Sequence, residues 1–155
     1  MNLNVQNLTF AHGSAPTLQG INASFEAGRL SVILGPNGAG KSTLLACLAG
    51  LLKPNNGAAK RGDESITNIA ATTRAKRIGL LPQGAETHWA ITSEALVALG
   101  RIPHSRGAGL SADDRRAVTA AMRATATDGF AHRPITQLSG GERARLILAQ
   151  LFSTP

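Results

Sequence analysis

Nine consecutive residues, Gly35-Pro36-Asn37-Gly38-Ala39-Gly40-Lys41-Ser42-Thr43, have types and spacing that could do chemistry. Gly35 and Gly40 flank four residues and are followed at once by Lys and Ser, the pattern of a phosphate-cradling loop. Glycines let the backbone wrap closely round a phosphate with successive N–H groups turned inward, and a helix N-terminus adds partial positive charge. Gly38 and Gly40 are expected to do that wrapping. Lys41 would reach β- and γ-phosphates as a point charge, the Ser42 hydroxyl would be a ligand of the bridging Mg²⁺, and Thr43 would donate to an α-phosphate. The chemistry predicted is the binding of a nucleotide polyphosphate.

Such a loop works only between a strand and a helix. Arg29 to Leu34 is short, apolar and β-branched, and predicts a buried parallel strand; Lys41 to Leu51 predicts the helix that follows. Upstream, Leu3, Val5, Leu8 and Phe10 suggest an opening strand. Ile21, Ala23 and Phe25 suggest a second, turned at Glu26-Ala27-Gly28, and the two form an antiparallel layer. Downstream, Lys53-Pro54-Asn55-Asn56-Gly57 reads as a turn, Ala70 to Arg77 as a short helix, and Ile78 to Leu81 as a buried strand stopped by Pro82, with Gln83 directly after it. Residues 84–133 read as a helical insert, with segments at Ser93 to Gly100 and Ser111 to Thr125; Ser111 and Asp114 are spaced as a capping box.

A second phosphate-competent element is Leu138-Ser139-Gly140-Gly141-Glu142, which opens an amphipathic helix. Ala144, Ile147, Leu148 and Leu151 are expected on its apolar face, with Arg143, Arg145 and Gln150 elsewhere. Ser139 can cap that helix, and the two glycines let an anion approach its N–H groups without side-chain obstruction. Alone, the same residues are also a common helix entry.

The 155 residues suffice for one domain or a piece of one, and no Pro, Gly or Ser tract divides them. No apolar run approaches the ~18 residues of a membrane span, and the start lacks a secretory signal, so a cytosolic location is the default expectation. A lone Cys47 excludes an internal disulfide and reads as a small core residue. Lys plus Arg number 16 against 9 Asp plus Glu, a net +7. The basic residues are scattered, and four Phe and one Trp offer little for base stacking, so solvated helix faces are favoured over a nucleic-acid surface. His88, His104 and His132 lack metal-ligand spacing and are expected at the surface.

Taken together, the motifs resemble the ATP-binding subunits of ABC transporters along the whole chain. Gly35 to Thr43 resembles that family's Walker A loop, Leu80-Leu81-Pro82-Gln83 its Q-loop, and Leu138 to Glu142 its signature motif, commonly Leu-Ser-Gly-Gly-Gln. The resemblance implies an α/β fold: a P-loop NTPase core (residues 1–83 and 134–155) with an antiparallel β subdomain and a helical subdomain at 84–133, incomplete at the C-terminus. It implies ATP and Mg²⁺ as cofactors and a head-to-tail pair of such subunits, either a homodimer or a paired ATPase subunit. Each ATP would lie between Gly35 to Thr43 of one subunit and Leu138 to Glu142 of the other.

Gln83 would touch Mg²⁺ or the attacking water and link the core to the helical subdomain. His12 stands where many relatives have an adenine-stacking Tyr, with Phe10 as the alternative, and Glu142 replaces the usual Gln. Gly100-Arg101-Ile102-Pro103-His104 resembles a stretch of subunits serving iron-siderophore, haem and cobalamin importers, though a Gly and Pro helix terminator reads the same way. The implied partners are transmembrane permease subunits and, indirectly, a substrate-binding protein, with the subunit peripheral on the cytoplasmic face of the membrane. The family's later Asp and Glu strand, D-loop and switch His have no counterpart here. The expectation is therefore a truncated product that hydrolyses little or no ATP. Competing readings are a soluble ABC-type ATPase acting on nucleic acid or ribosomes, and a non-catalytic nucleotide-binding regulator.

Overall fold

The apolar positions 3, 5, 8 and 10 break strict alternation between Val5 and Leu8, and the structure shows how the break is absorbed. In the computed structural model, which describes residues 1–13, 15–81, 83, 90–105, 107 and 109–154, β1 (Leu3–His12) pairs antiparallel with β2 (Ala15–Phe25). The register shifts between Val5 and Leu8, where Asn7 takes φ 46°, a left-handed conformation that Asn tolerates better than most residues. Asn22 fills the interrupted ladder: its Oδ1 accepts from the Asn7 N–H at 2.9 Å, and its Nδ2 donates to Asn7 Oδ1 at 3.0 Å. Val5, Leu8 and Phe10 can then all be buried.

A third strand, β3 (Asn56–Arg61), lies on the other side of β1, with Val5 opposite Ala59, and the short β4 (Glu64–Ser65) completes a sheet of order β2-β1-β3-β4. The Lys53 to Gly57 turn signal runs directly into β3, whose Gly-Ala-Ala-Lys sequence has no intrinsic strand preference. Pairing with β1 and burial of Ala59 override that weak propensity. The helix α1 (Lys41–Leu48) packs on β1, β2 and β3 through buried Leu44, Cys47 and Leu48. It is shorter than the predicted 41–51, because Gly50 turns left-handed and the last carbonyls accept from Gly50, Leu51 and Leu52.

The predicted buried strand at Arg29 to Leu34 is corrected. The segment forms no strand ladder among the described residues, and Leu30, Val32 and Leu34 are exposed at 94%, 69% and 87%. Ile78 to Leu81 is likewise not a strand, and Leu81 is 40% exposed. Both runs carry strand-like composition, but a strand exists only when neighbours accept and donate its ladder hydrogen bonds, and none of the described strands does so.

The chain divides into two compact units, residues 1–74 and 75–155. In the second, α3 (Ser93–Ala98), α4 (Ala112–Ala124) and α5 (Gly140–Ser153) surround a core of Leu96, Val97, Val118, Met122, Ile135 and Leu146 with their smaller neighbours. The short α2 (Ala71–Ala75) falls inside the predicted 70–77. The capping box opening α4 is present as read: Ser111 Oγ accepts from the Asp114 N–H, and Asp114 Oδ2 accepts from the Ser111 N–H.

The face predicted for α5 is corrected by about one residue. Leu146, Ala149 and Ser153 are buried, Ile147 packs partly against them, and Ala144 and Leu148 are exposed. Leu138, Ile135 and α4 anchor the helix on the Leu146 side, which the count of apolar residues alone did not favour.

Candidate nucleotide-binding site

In the first unit the phosphate loop is closed by its own lysine. Lys41 Nζ donates to Gly35 O at 2.8 Å and to Pro36 O at 2.7 Å, and the Ala39 N–H donates to Pro36 O at 3.3 Å. An ammonium has three donors, so one N–H remains for a phosphate oxygen. Gly38 and Gly40 both take φ 82°, and Gly40 sits at the N-cap of α1. A Cβ on Gly40 would stand 2.7 Å from Leu18 Cδ2 and 2.9 Å from Thr17 O, so glycine is required there both by conformation and by close approach to β2.

The entrance of α1 differs from the other long helices. Thr92, Ser111 and Ser139 cap α3, α4 and α5 with their side chains, whereas α1 has no side-chain cap and no acidic residue in its first turn. Its initial N–H groups and positive dipole end therefore suit an external anion. Ser42 is exposed and Thr43 half-buried, with neither hydroxyl bonded to another described residue. The residues present fit Mg-ATP: backbone donors and Lys41 for the phosphates, and a free hydroxyl on Ser42 for the metal. Asn37, Gly35, Pro36 and Ala39 line the exposed arc of the loop.

His12 ends β1, exposed, with its ring 5.3 Å from that of Phe10 at 58°. Phe10 itself is buried, which leaves His12 as the ring with a free face. Cys47 is buried, and burial raises its thiol pKa, in keeping with a core residue.

The second unit holds the other motif residues. Gln83 is exposed, while Pro82 and residues 84–89, including His88, lie outside the described residues. At Leu138 to Glu142, Leu138 is buried and Ser139 caps α5. The Ser139 hydroxyl donates to Glu142 Oε2 at 2.8 Å and accepts from the Glu142 N–H, and the Ser139 N–H also donates to Oε2 at 2.8 Å. Gly140 and Gly141 are exposed, and a Cβ on either would meet nothing within 4 Å, so the helix entrance is open. The Ser139 N–H and hydroxyl, followed by the Arg133 and Arg145 charges, hold the Glu142 carboxyl below its usual pKa.

Arg133 escaped the sequence reading. It lies 3.5 Å from Glu142 Oε1, donates to Gln137 O at 2.9 Å and sits over the Phe130 ring. Ser139 was expected to cap α5, and the structure adds Glu142 as the other half of a capping box; nothing in periodicity marks an Arg six residues ahead of the cap. His132 is exposed as expected. His104 is not: it is half-buried, with Nε2 2.7 Å from Thr154 O, because it closes the end of α5. Among the described residues no group of three or more His, Cys, Asp or Glu could hold a metal ion, and no helix is long and apolar enough to cross a membrane.

A lysine-closed glycine loop at a free helix entrance defines a P-loop nucleotide-binding protein. The model of the ABC transporter family matches residues 18–155, and the chain belongs to that family. It is 37% identical over 151 residues to the hemin import ATP-binding protein HmuV of Pseudomonas aeruginosa, covering 97% of this chain and 58% of that protein. To the iron(3+)-hydroxamate import ATP-binding protein FhuC of Bacillus subtilis it is 34% identical over 152 residues, covering 97% and 56%. A solved metal-chelate type ABC transporter in an inward-facing conformation superposes with a TM-score of 0.80 at 28% identity, covering 98% of this chain and 55% of that one. The chain thus spans little more than half the length of these relatives.

Proposed function

We propose that the chain supplies the ATP-binding part of an ATPase subunit that powers an ABC-type importer for an iron-siderophore, haem or cobalamin. The cargo class rests on the hemin and hydroxamate relatives and on Gly100 to His104. Gly35 to Thr43 binds the phosphates, Lys41 neutralises the β- and γ-phosphates, Ser42 and Gln83 hold Mg²⁺, and His12 stacks on the base. Leu138 to Glu142 meets the ATP of a partner subunit, at the cytoplasmic face of a membrane permease. Residues 1–83 and 134–155 serve as core and 84–133 as the helical subdomain.

Bound magnesium would supply charge neutralisation to the phosphates that this chain's own residues orient. The observation that carries this reading is the Lys41 ammonium held over the loop at 2.7–2.8 Å beside the uncapped end of α1. Equilibrium dialysis with Mg-ATP tests it: the chain should retain ATP in a magnesium-dependent way, and Lys41→Ala should bind at least about tenfold more weakly, a loss of ~1.4 kcal/mol. Equal retention by both would overturn it.

A further inference from the structure

The Gly100 to His104 stretch, which resemblance ties to cargo, does something specific inside the second unit. Arg101 is 8% exposed; its Nε donates to Asp114 Oδ1 at 2.9 Å and its Nη1 to Ser153 O at 2.6 Å. His104 Nε2 lies 2.7 Å from Thr154 O. The last carbonyls of a helix have no partner within it, and cationic or N–H donors are favoured there. Gly100 completes the arrangement by its lack of a side chain: a Cβ would collide with Ser153 Oγ and Gln150 O and stand 3.1 Å from Thr154 Oγ1. Ser153 Oγ in turn donates to Val97 O at 2.9 Å and to Gln150 O at 2.8 Å. Three positions of the stretch, Gly100, Arg101 and His104, therefore meet one helix end.

That helix is α5, whose opposite end carries Ser139, Gly140 and Gly141. Its mid-point is fixed by the fully buried Leu146 and Ala149. From Leu146 to Ser153 and from Leu146 to Ser139 are both seven residues, or ~10 Å of helix at ~1.5 Å per residue, so a shift at one end tilts the other by a similar amount. Misplacement of a binding group by ~1 Å can cost about a hundredfold in a reaction that depends on its position.

We infer that Gly100, Arg101 and His104 are positioning residues that set the tilt of α5, and so the placement of Ser139 to Gly141 against the ATP held by a partner subunit. The inference rests on the proposed pairing of Leu138 to Glu142 with a partner's nucleotide. The stretch acts on ATP-driven pairing, and touches neither nucleotide nor cargo.

The test compares the chain with Gly100→Ala and with the double variant Arg101→Met/Asp114→Asn, which removes both buried charges together. Two quantities are read: Mg-ATP retention by equilibrium dialysis, and Mg-ATP-dependent dimerisation by sedimentation equilibrium. Retention, which belongs to the Lys41 loop, should stay within about twofold, while dimerisation weakens at least about tenfold, or ~1.4 kcal/mol. A fault of general stability would depress both quantities together. If the two variants do not fold, His104→Ala, which deletes one half-buried bond, carries the test with a loss of about threefold in dimerisation. Folded variants that dimerise as tightly as the parent overturn the inference alone. A parent that binds Mg-ATP but never dimerises with it overturns the pairing beneath the inference as well.

Discussion

Lys41 and Gly40 show how much of the site is decided at single positions. Lys41 closes the loop with two bonds to carbonyls, and Gly40 lets the backbone pass under Thr17 and Leu18 in a left-handed conformation before α1 begins. Gly40→Ala would force a side chain into both restraints. We expect a loss of about 1–3 kcal/mol in denaturant unfolding, accompanied by weaker Mg-ATP retention; an alanine variant as stable and as retentive as the parent would contradict this. The loop and the helix start that these two residues shape were legible in the sequence, from the spacing of Gly, Lys and Ser; the bonds from Lys41 to Gly35 O and Pro36 O were not. Arg133 was not legible, since its value comes from lying beside Glu142 in space, and His104 was misread because nothing local tells a helix-capping histidine from a surface one.

Elements were read unevenly for a physical reason. Helices with caps and apolar stripes announce themselves: the α4 capping box appears where the Ser-x-x-acid spacing put it, and α5 opens at the Ser139 cap. Strands depend on partners, so β3 formed from weak residues because β1 was available, whereas Arg29 to Leu34 and Ile78 to Leu81, strong by composition, find no strand partner among the described residues. The start of α4 and the end of α5 meet through Arg101, which donates to Asp114 Oδ1 and to Ser153 O. The Ser111 hydroxyl, then Arg101, and the Ser111 N–H lower the pKa of Asp114 from 3.8 to about 2. A depressed carboxylate stabilises the fold above its ordinary pKa and loses that contribution as the pH falls through 3.8 towards 2. Asp114→Asn should therefore be less stable than the parent at pH 7, with the gap closing between about pH 4 and pH 2 in acid-unfolding curves. A gap that stays constant across that range would show that Asp114 titrates normally.

At the scale of the whole chain, the two units divide the motifs. Residues 1–74 carry the phosphate loop and residues 75–155 the signature helix with the clamp on its far end. Of the charges that make up the net +7, Arg101 and Arg133 are engaged with acidic partners and main-chain carbonyls, and Arg74 donates to Ile69 O. Family membership accounts for the order of the motifs. The central claim is that main-chain amides of Gly38 to Thr43, closed by Lys41, hold the phosphates of Mg-ATP. Amide hydrogen exchange with ATP plus magnesium, compared with ATP plus chelator, reads it directly. The account predicts that exchange slows at least about tenfold at Gly38 to Thr43 only when magnesium is present; unchanged exchange there, with protection elsewhere in the chain, would contradict it.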